Sequence, residues 1–201
     1  MTAEADRELE FATTPNFLTL ARMFCVPIVV GLLFFKTPGY DLAAALVFGV
    51  ASFTDYLDGY IARKQQSVSV YGKLMDPLAD KFLVVSSLIM LQELDRLDAV
   101  WVIVLICREL AITGLRALAS AEGVIMSAST SAKWKTATQM VAIPLMMAKE
   151  PLYGIPIYPI GQALLAISIA ISVWSAVDYV VEFFRKLPER RRARKAARLA
   201  Q

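Results

Sequence analysis

Apolar positions along this chain gather in blocks of about 20 residues, the length that crosses a bilayer as a helix. Six blocks stand out between polar stretches, at about 17–35, 42–62, 73–93, 98–119, 134–150 and 156–184. A helix satisfies its own backbone groups inside lipid, so each block predicts one membrane helix. The expected fold is therefore all-α, a polytopic membrane protein of six transmembrane helices. Residues 1–14 are expected to form an N-terminal cytoplasmic or interfacial segment, 15–186 a single membrane domain and 187–201 a basic cytoplasmic tail. The first eleven residues carry mixed charge, without the basic start and small-residue cleavage site of a signal peptide, so the first block is expected to remain in the mature protein. There is no internal repeat and no low-complexity domain.

Composition sharpens this picture. Of 201 residues 57% are hydrophobic and the mean hydropathy is +0.54, above the roughly even apolar share of a soluble domain. No histidine is present, which excludes a histidine base, a histidine–metal bond and a Ser-His-Asp triad. Cys25 and Cys107 lie inside apolar blocks without metal-ligand spacing and read as small buried hydrophobes. The net charge of +3 says little, but Arg185, Lys186 and the run from Arg190 to Lys195 make the tail strongly basic. Beside a membrane helix such a tail suits anionic lipid headgroups, and no nucleic-acid module accompanies it.

The basic residues also sort by side. Arg7, Arg22, Arg63, Lys64, Lys73, Arg116, Lys133, Lys135 and the tail lie at one set of helix ends. The opposite connections hold Lys36, Arg96 and Lys149 among Asp41, Glu93, Asp95, Asp98 and Glu150. The positive-inside rule then places both termini in the cytoplasm.

The candidate chemistry sits where the second block ends and the third begins. Asp55 and Asp58 are three residues apart, Asp76 and Asp80 four, so each pair shares one helix face. A single aspartate at a helix end is ordinarily a solvated cap. Four together are different, because each costs roughly 2.5–3.5 kcal/mol at the centre of a membrane helix and less near its interface. Their mutual repulsion is relieved by a bound divalent cation. Oxygen ligands without histidine or thiolate favour a hard ion, Mg²⁺ or Mn²⁺. Gly59, Ala62 and Gly72 leave room for phosphates or a sugar against the backbone, or else serve close helix packing. Arg63 offers a fork for a phosphate, or else an interfacial charge that sets topology.

Written as spacing, the segment is D-x2-D-G-x2-A-R-x8-G-x3-D-x3-D, formed by Asp55, Asp58, Gly59, Ala62, Arg63, Gly72, Asp76 and Asp80. It resembles the signature of the CDP-alcohol phosphotransferases at all eight positions. The resemblance implies a homodimer of six-helix subunits in which Asp55, Asp58, Asp76 and Asp80 hold two divalent ions, with Asp80 also acting as the base. It further implies that Asp58, Gly59, Ala62, Arg63, Ser69, Gly72, Asn16 and Thr19 bind the CDP-lipid.

Outside the signature the chain resembles the phosphatidylglycerophosphate synthase branch of that family. The matching stretches run from Pro15 to Arg22, through Arg108-Glu109 and Leu115-Arg116, and from Lys133 to Met140. Ala132 departs from the glycine expected before the lysine. Arg108 and Arg116 lie close to two helical turns apart, and arginines buried in a bilayer need anionic partners. Arg108, Arg116, Lys133 and Lys135 are therefore candidates to hold the phosphate of an acceptor, which the resemblance implies is sn-glycerol 3-phosphate. The alternative is ion pairing with Glu109, Glu122 or an aspartate of the motif.

The implied reaction moves the phosphatidyl group of CDP-diacylglycerol to sn-glycerol 3-phosphate, releasing CMP, in a cytoplasmic (inner) membrane with the site facing the cytoplasm. Two other readings compete. A cardiolipin synthase would use the same donor with phosphatidylglycerol as acceptor, and would need a second acyl groove with less cationic charge. A divalent-cation transporter would carry its carboxylates near mid-bilayer, whereas these crowd at one membrane face.

Overall fold

A computed structural model describes residues 14–65, 70–124 and 130–199, and side chains over 20–54, 81–124 and 134–188 and at Arg190 and Arg192. The described chain is all-helical, with six helices in the order α1 (Thr14–Phe34), α2 (Pro38–Gln65), α3 (Val70–Glu93), α4 (Ala99–Ala121), α5 (Thr130–Ala148) and α6 (Ile157–Leu199). They follow the six apolar blocks within a few residues, except that α6 continues through the basic tail to Leu199.

Local chemistry sets the helix limits. Pro38 opens α2, where its missing N–H costs nothing. The α3 terminus is a Schellman turn: the Arg96 N–H donates to Leu91 O at 2.9 Å and the Asp95 N–H to Gln92 O at 3.0 Å. Asp95 takes the required left-handed conformation at φ 54°. The same motif ends α4, where Gly123 stands at φ 69° and the Val124 N–H reaches Ala119 O at 2.8 Å. Between α5 and α6, Tyr153 and Gly154 have φ of 52° and 81°, the two positive values of a type I′ turn, and Leu152 pairs with Ile155 around them.

The chain divides into two compact units, residues 1–98 with 140–163, and residues 99–139 with 164–201. In the first, α1 packs against both α2 and α3. Its core includes Val29, Leu33, Phe48, Leu83, Leu91, Ile143 and Met147. The start of α6 approaches α5 closely at Gly161, where a Cβ would lie 2.9 Å from Met146 Cγ and 3.1 Å from the Ala142 carbonyl oxygen.

In the second unit, Ala119, Val124 and Phe183 form a buried cluster flanked by Leu115 and Leu187. Contacts climb together along α4 and α6, from Arg108 with Ser172 and Ser175 to Arg116 with Tyr179 and Gly123 beside Arg190. The two helices therefore run parallel.

Many large apolar side chains face outward, among them Phe24, Phe53, Ile103, Trp174 and Phe184. Exposed apolar surface on this scale marks contact with lipid or partner proteins. Among the described residues, one helix is long and apolar enough by itself to cross a bilayer, α6 over Ile157–Pro188. Elsewhere charges interrupt the apolar blocks, as Arg108, Glu109 and Arg116 do in α4.

Candidate active site

The signature straddles two helices. Asp55, Asp58, Gly59, Ala62 and Arg63 belong to the last third of α2, and Gly72, Asp76 and Asp80 to the first half of α3. Both stretches are helical throughout, so the three- and four-residue spacings do set each aspartate pair on one face. Ser69 lies outside the described residues, as do the side chains of the eight signature positions, of Asn16 and Thr19 on α1 and of Lys133 on α5.

The donor set fits a hard divalent ion: four carboxylates on two regular helices, with no imidazole or thiolate. Among the described residues no group of three or more His, Cys, Asp or Glu could hold a metal ion. The side chains of the motif carboxylates lie outside that set.

The second unit assembles part of the predicted cation set. Lys135 Nζ donates to Glu109 Oε2 at 2.6 Å, and Arg108 reaches the same oxygen at 3.2 Å. Arg108 also donates through Nε to the Ser172 carbonyl at 3.0 Å and through Nη2 to Ser175 Oγ at 2.7 Å. One carboxylate thus stands between two cations in this cluster. Lys135 is 8% exposed, so its charge is held largely out of water. Arg116 is exposed, with its guanidinium 5.9 Å from the Tyr179 ring centre, within reach of a cation–π contact. The ion pairing weighed from the sequence is thus present for Arg108 and Lys135, through Glu109.

The contribution of α6 went unread in the sequence. Ser168 donates to the Lys135 carbonyl at 3.0 Å, Ser172 and Ser175 receive Arg108, and Tyr179 lies under Arg116. These four polar residues recur at intervals of four, three and four, a helical stripe along an otherwise apolar span. That spacing was the signal available.

Residues 12–174 match the family model of CDP-alcohol phosphatidyltransferases. A Bacillus subtilis (strain 168) protein named CDP-diacylglycerol–glycerol-3-phosphate 3-phosphatidyltransferase is 35% identical over 177 residues, covering 82% of this chain and 92% of that protein. An Arabidopsis thaliana protein of the same name, numbered 2, is 34% identical over 189 residues, or 87% of this chain and 81% of its own. A cardiolipin synthase (CMP-forming) of Oryza sativa subsp. japonica is 33% identical over 193 residues, covering 87% of this chain and 58% of that protein. The match takes in α1 to α5 and the first part of α6 and contains the whole aspartate signature, and the chain belongs to the CDP-alcohol phosphatidyltransferase family.

Proposed function

We propose that the chain transfers the phosphatidyl group of CDP-diacylglycerol to sn-glycerol 3-phosphate, giving phosphatidylglycerophosphate and CMP. The observation that carries this reading is the complete signature in a chain about a third identical, over most of its length, to proteins named for that reaction. The cation cluster favours a phosphate-bearing acceptor over a neutral one.

Divalent-metal dependence is general in this family, and Asp55, Asp58, Asp76 and Asp80 are the residues that would hold two ions, Mg²⁺ or Mn²⁺. Bound there, such ions would supply positive charge against the diphosphate and would ease deprotonation of the acceptor hydroxyl. Asp80 takes the proton of the primary hydroxyl of glycerol 3-phosphate. The hydroxyl oxygen bonds to the phosphorus that carries diacylglycerol, and the bond from that phosphorus to the oxygen leaving with CMP breaks. Gly59, Ala62 and Gly72 admit the nucleotide diphosphate against the helix backbone, with Asn16, Thr19, Arg63 and Ser69 as further contacts. Arg108, Arg116, Lys133 and Lys135 attract the acceptor phosphate. In this reading Glu109 holds Lys135 and Arg108 in place until the acceptor arrives.

The same reading makes the chain a six-span homodimer of a cytoplasmic (inner) membrane, with both termini and the site on the cytoplasmic side. The dimer rests on the family resemblance alone, while the six helices, their outward apolar side chains and the one-sided basic residues support the spans and their orientation. So does the parallel run of α4 and α6, which alternate spans require.

The rice relative named cardiolipin synthase keeps a second acceptor in view, phosphatidylglycerol. CMP release by detergent-purified protein, given CDP-diacylglycerol and Mg²⁺, separates the two. Release that requires glycerol 3-phosphate supports the proposal; release driven by phosphatidylglycerol transfers the chain to the other activity.

A further inference from the structure

Three serines interrupt the apolar span of α6 on one face, Ser168, Ser172 and Ser175, and all three are buried. A buried hydroxyl costs free energy unless it is used in a hydrogen bond. Ser168 donates to the Lys135 carbonyl at 3.0 Å. Ser175 donates to the Ser172 carbonyl at 3.1 Å. With its hydrogen committed to its own helix, the Ser175 hydroxyl offers α4 only a lone pair, and Arg108 Nη2 donates to it at 2.7 Å.

Arg108 is thereby held along one edge of its planar fork. Nε and Nη2 go to the Ser172 carbonyl and the Ser175 hydroxyl, both on α6, and together they set the plane of the guanidinium. In that plane Nη1 meets Glu109 Oε2 at 3.2 Å. The same carboxylate oxygen accepts from Lys135 Nζ at 2.6 Å. The bonds therefore form one path, from Ser175 through Arg108 and Glu109 to Lys135. The side chains of Arg108 and Lys135 are 12% and 10% exposed, so little water stands ready to replace a lost bond.

We infer that Ser175 is a positioning residue for the acceptor phosphate: it fixes the Arg108 guanidinium, which through Glu109 fixes the Lys135 ammonium. Ser175 acts through these residues and touches no substrate itself. Its two neighbours do different work. Ser168 holds the backbone of Lys135, not its ammonium, and Ser172 receives Arg108 through a carbonyl that any residue supplies. Of the three serines, Ser175 is the one whose side chain enters the path. The inference rests on the acceptor assigned above for what Lys135 holds, though not for the path itself.

Two measurements test it. Ser175→Ala leaves Nη2 without its acceptor, and it raises the KM for glycerol 3-phosphate by roughly tenfold, the worth of one hydrogen bond to a charged group. The turnover number and the KM for CDP-diacylglycerol stay within about twofold, which a general loss of structure would not allow. On a Lys135→Ala background the same substitution adds less than about twofold, because the group it positions is gone. Val177→Ala, at an exposed position of α6, leaves both KM values unchanged. An unchanged acceptor KM in Ser175→Ala, an equal rise for both substrates, or a rise that multiplies in full with that of Lys135→Ala overturns the inference.

Acetylation of Lys135 by acetic anhydride, followed by peptide mass, reads the path without turnover. Ser175→Ala speeds it by roughly threefold to tenfold, the net worth of a hydrogen bond loosened at the ammonium, while exposed Lys149 serves as the internal reference. Equal rates in the variant and the wild type overturn the path. A faster rate in the variant, where the wild type makes no product from glycerol 3-phosphate, supports the path while removing the acceptor proposed above.

Discussion

Arg96 and Asp41, 55 residues apart in the chain, form a buried ion pair with 2.5 Å between Nη2 and Oδ2. Arg96 also donates to the Met147 carbonyl at 2.6 Å, and its own carbonyl accepts from the Tyr158 hydroxyl at 3.0 Å. One side chain thus ties the start of α2, the α3–α4 turn and the end of α5, while its backbone receives the start of α6. The pair also explains why a cation sits on the sparsely basic side of the protein, since its charge is cancelled where it lies. Lys36 pairs likewise with Glu93 on that side, at 3.9 Å and in solvent.

Breaking this pair from one side leaves the other charge buried and alone, at a cost of roughly 3–5 kcal/mol. Asp41→Ala is therefore expected to lower the unfolding temperature of the detergent-purified protein markedly, and Asp41→Leu combined with Arg96→Met to lower it less. Thermal unfolding followed by circular dichroism checks the order. Equal losses in the two variants would deny the pair its role.

At Gly161 α6 meets α5 closely, with backbone as well as side chains in the way of a larger residue. Gly161→Leu is expected to destabilise the first unit by roughly 1–3 kcal/mol through overpacking. The same substitution at Gly49, with no heavy atom within 4 Å of an added Cβ, is expected to leave the unfolding temperature nearly unchanged.

The Lys135–Glu109–Arg108 cluster yields a kinetic prediction. A charge-assisted hydrogen bond is worth roughly 1.5–3 kcal/mol, so Lys135→Ala should raise the KM for glycerol 3-phosphate by about tenfold to a hundredfold. The KM for CDP-diacylglycerol should stay within about twofold, since a lost phosphate contact acts on the acceptor alone. Steady-state kinetics with each substrate varied in turn distinguishes this from general loss of structure, which would affect both.

For the motif, Asp80→Asn is expected to lower turnover by roughly 10²–10⁴, the usual contribution of a general base. Near wild-type turnover in that variant, with metal still bound, would remove Asp80 from the role of base. EDTA is expected to stop wild-type activity and added Mg²⁺ or Mn²⁺ to restore it.

The sequence made the helices legible because long apolar blocks between polar stretches announce them by length and apolarity, although their ends, such as Pro38 and the turn at Asp95, were fixed only by the structure. It also exposed the signature, because carboxylates inside apolar blocks have no cheap structural explanation. Three things were hidden. The tail joins α6 because its Arg, Lys, Ala and Leu are strong helix formers, and even Pro188 does not end the helix. The Asp41–Arg96 pair is long-range, and no local pattern records which of several charges on one side will meet. The serine contacts of Arg108 were missed because serines in an apolar span read as neutral filler, although their spacing at 168, 172 and 175 traced the face that meets α4 and α5.

The most direct measurement supplies labelled glycerol 3-phosphate and CDP-diacylglycerol to the purified protein with Mg²⁺ and counts both products. The account predicts one labelled lipid for each CMP, with both lost in EDTA. CMP released without labelled lipid, or lipid product formed only from phosphatidylglycerol, would contradict it.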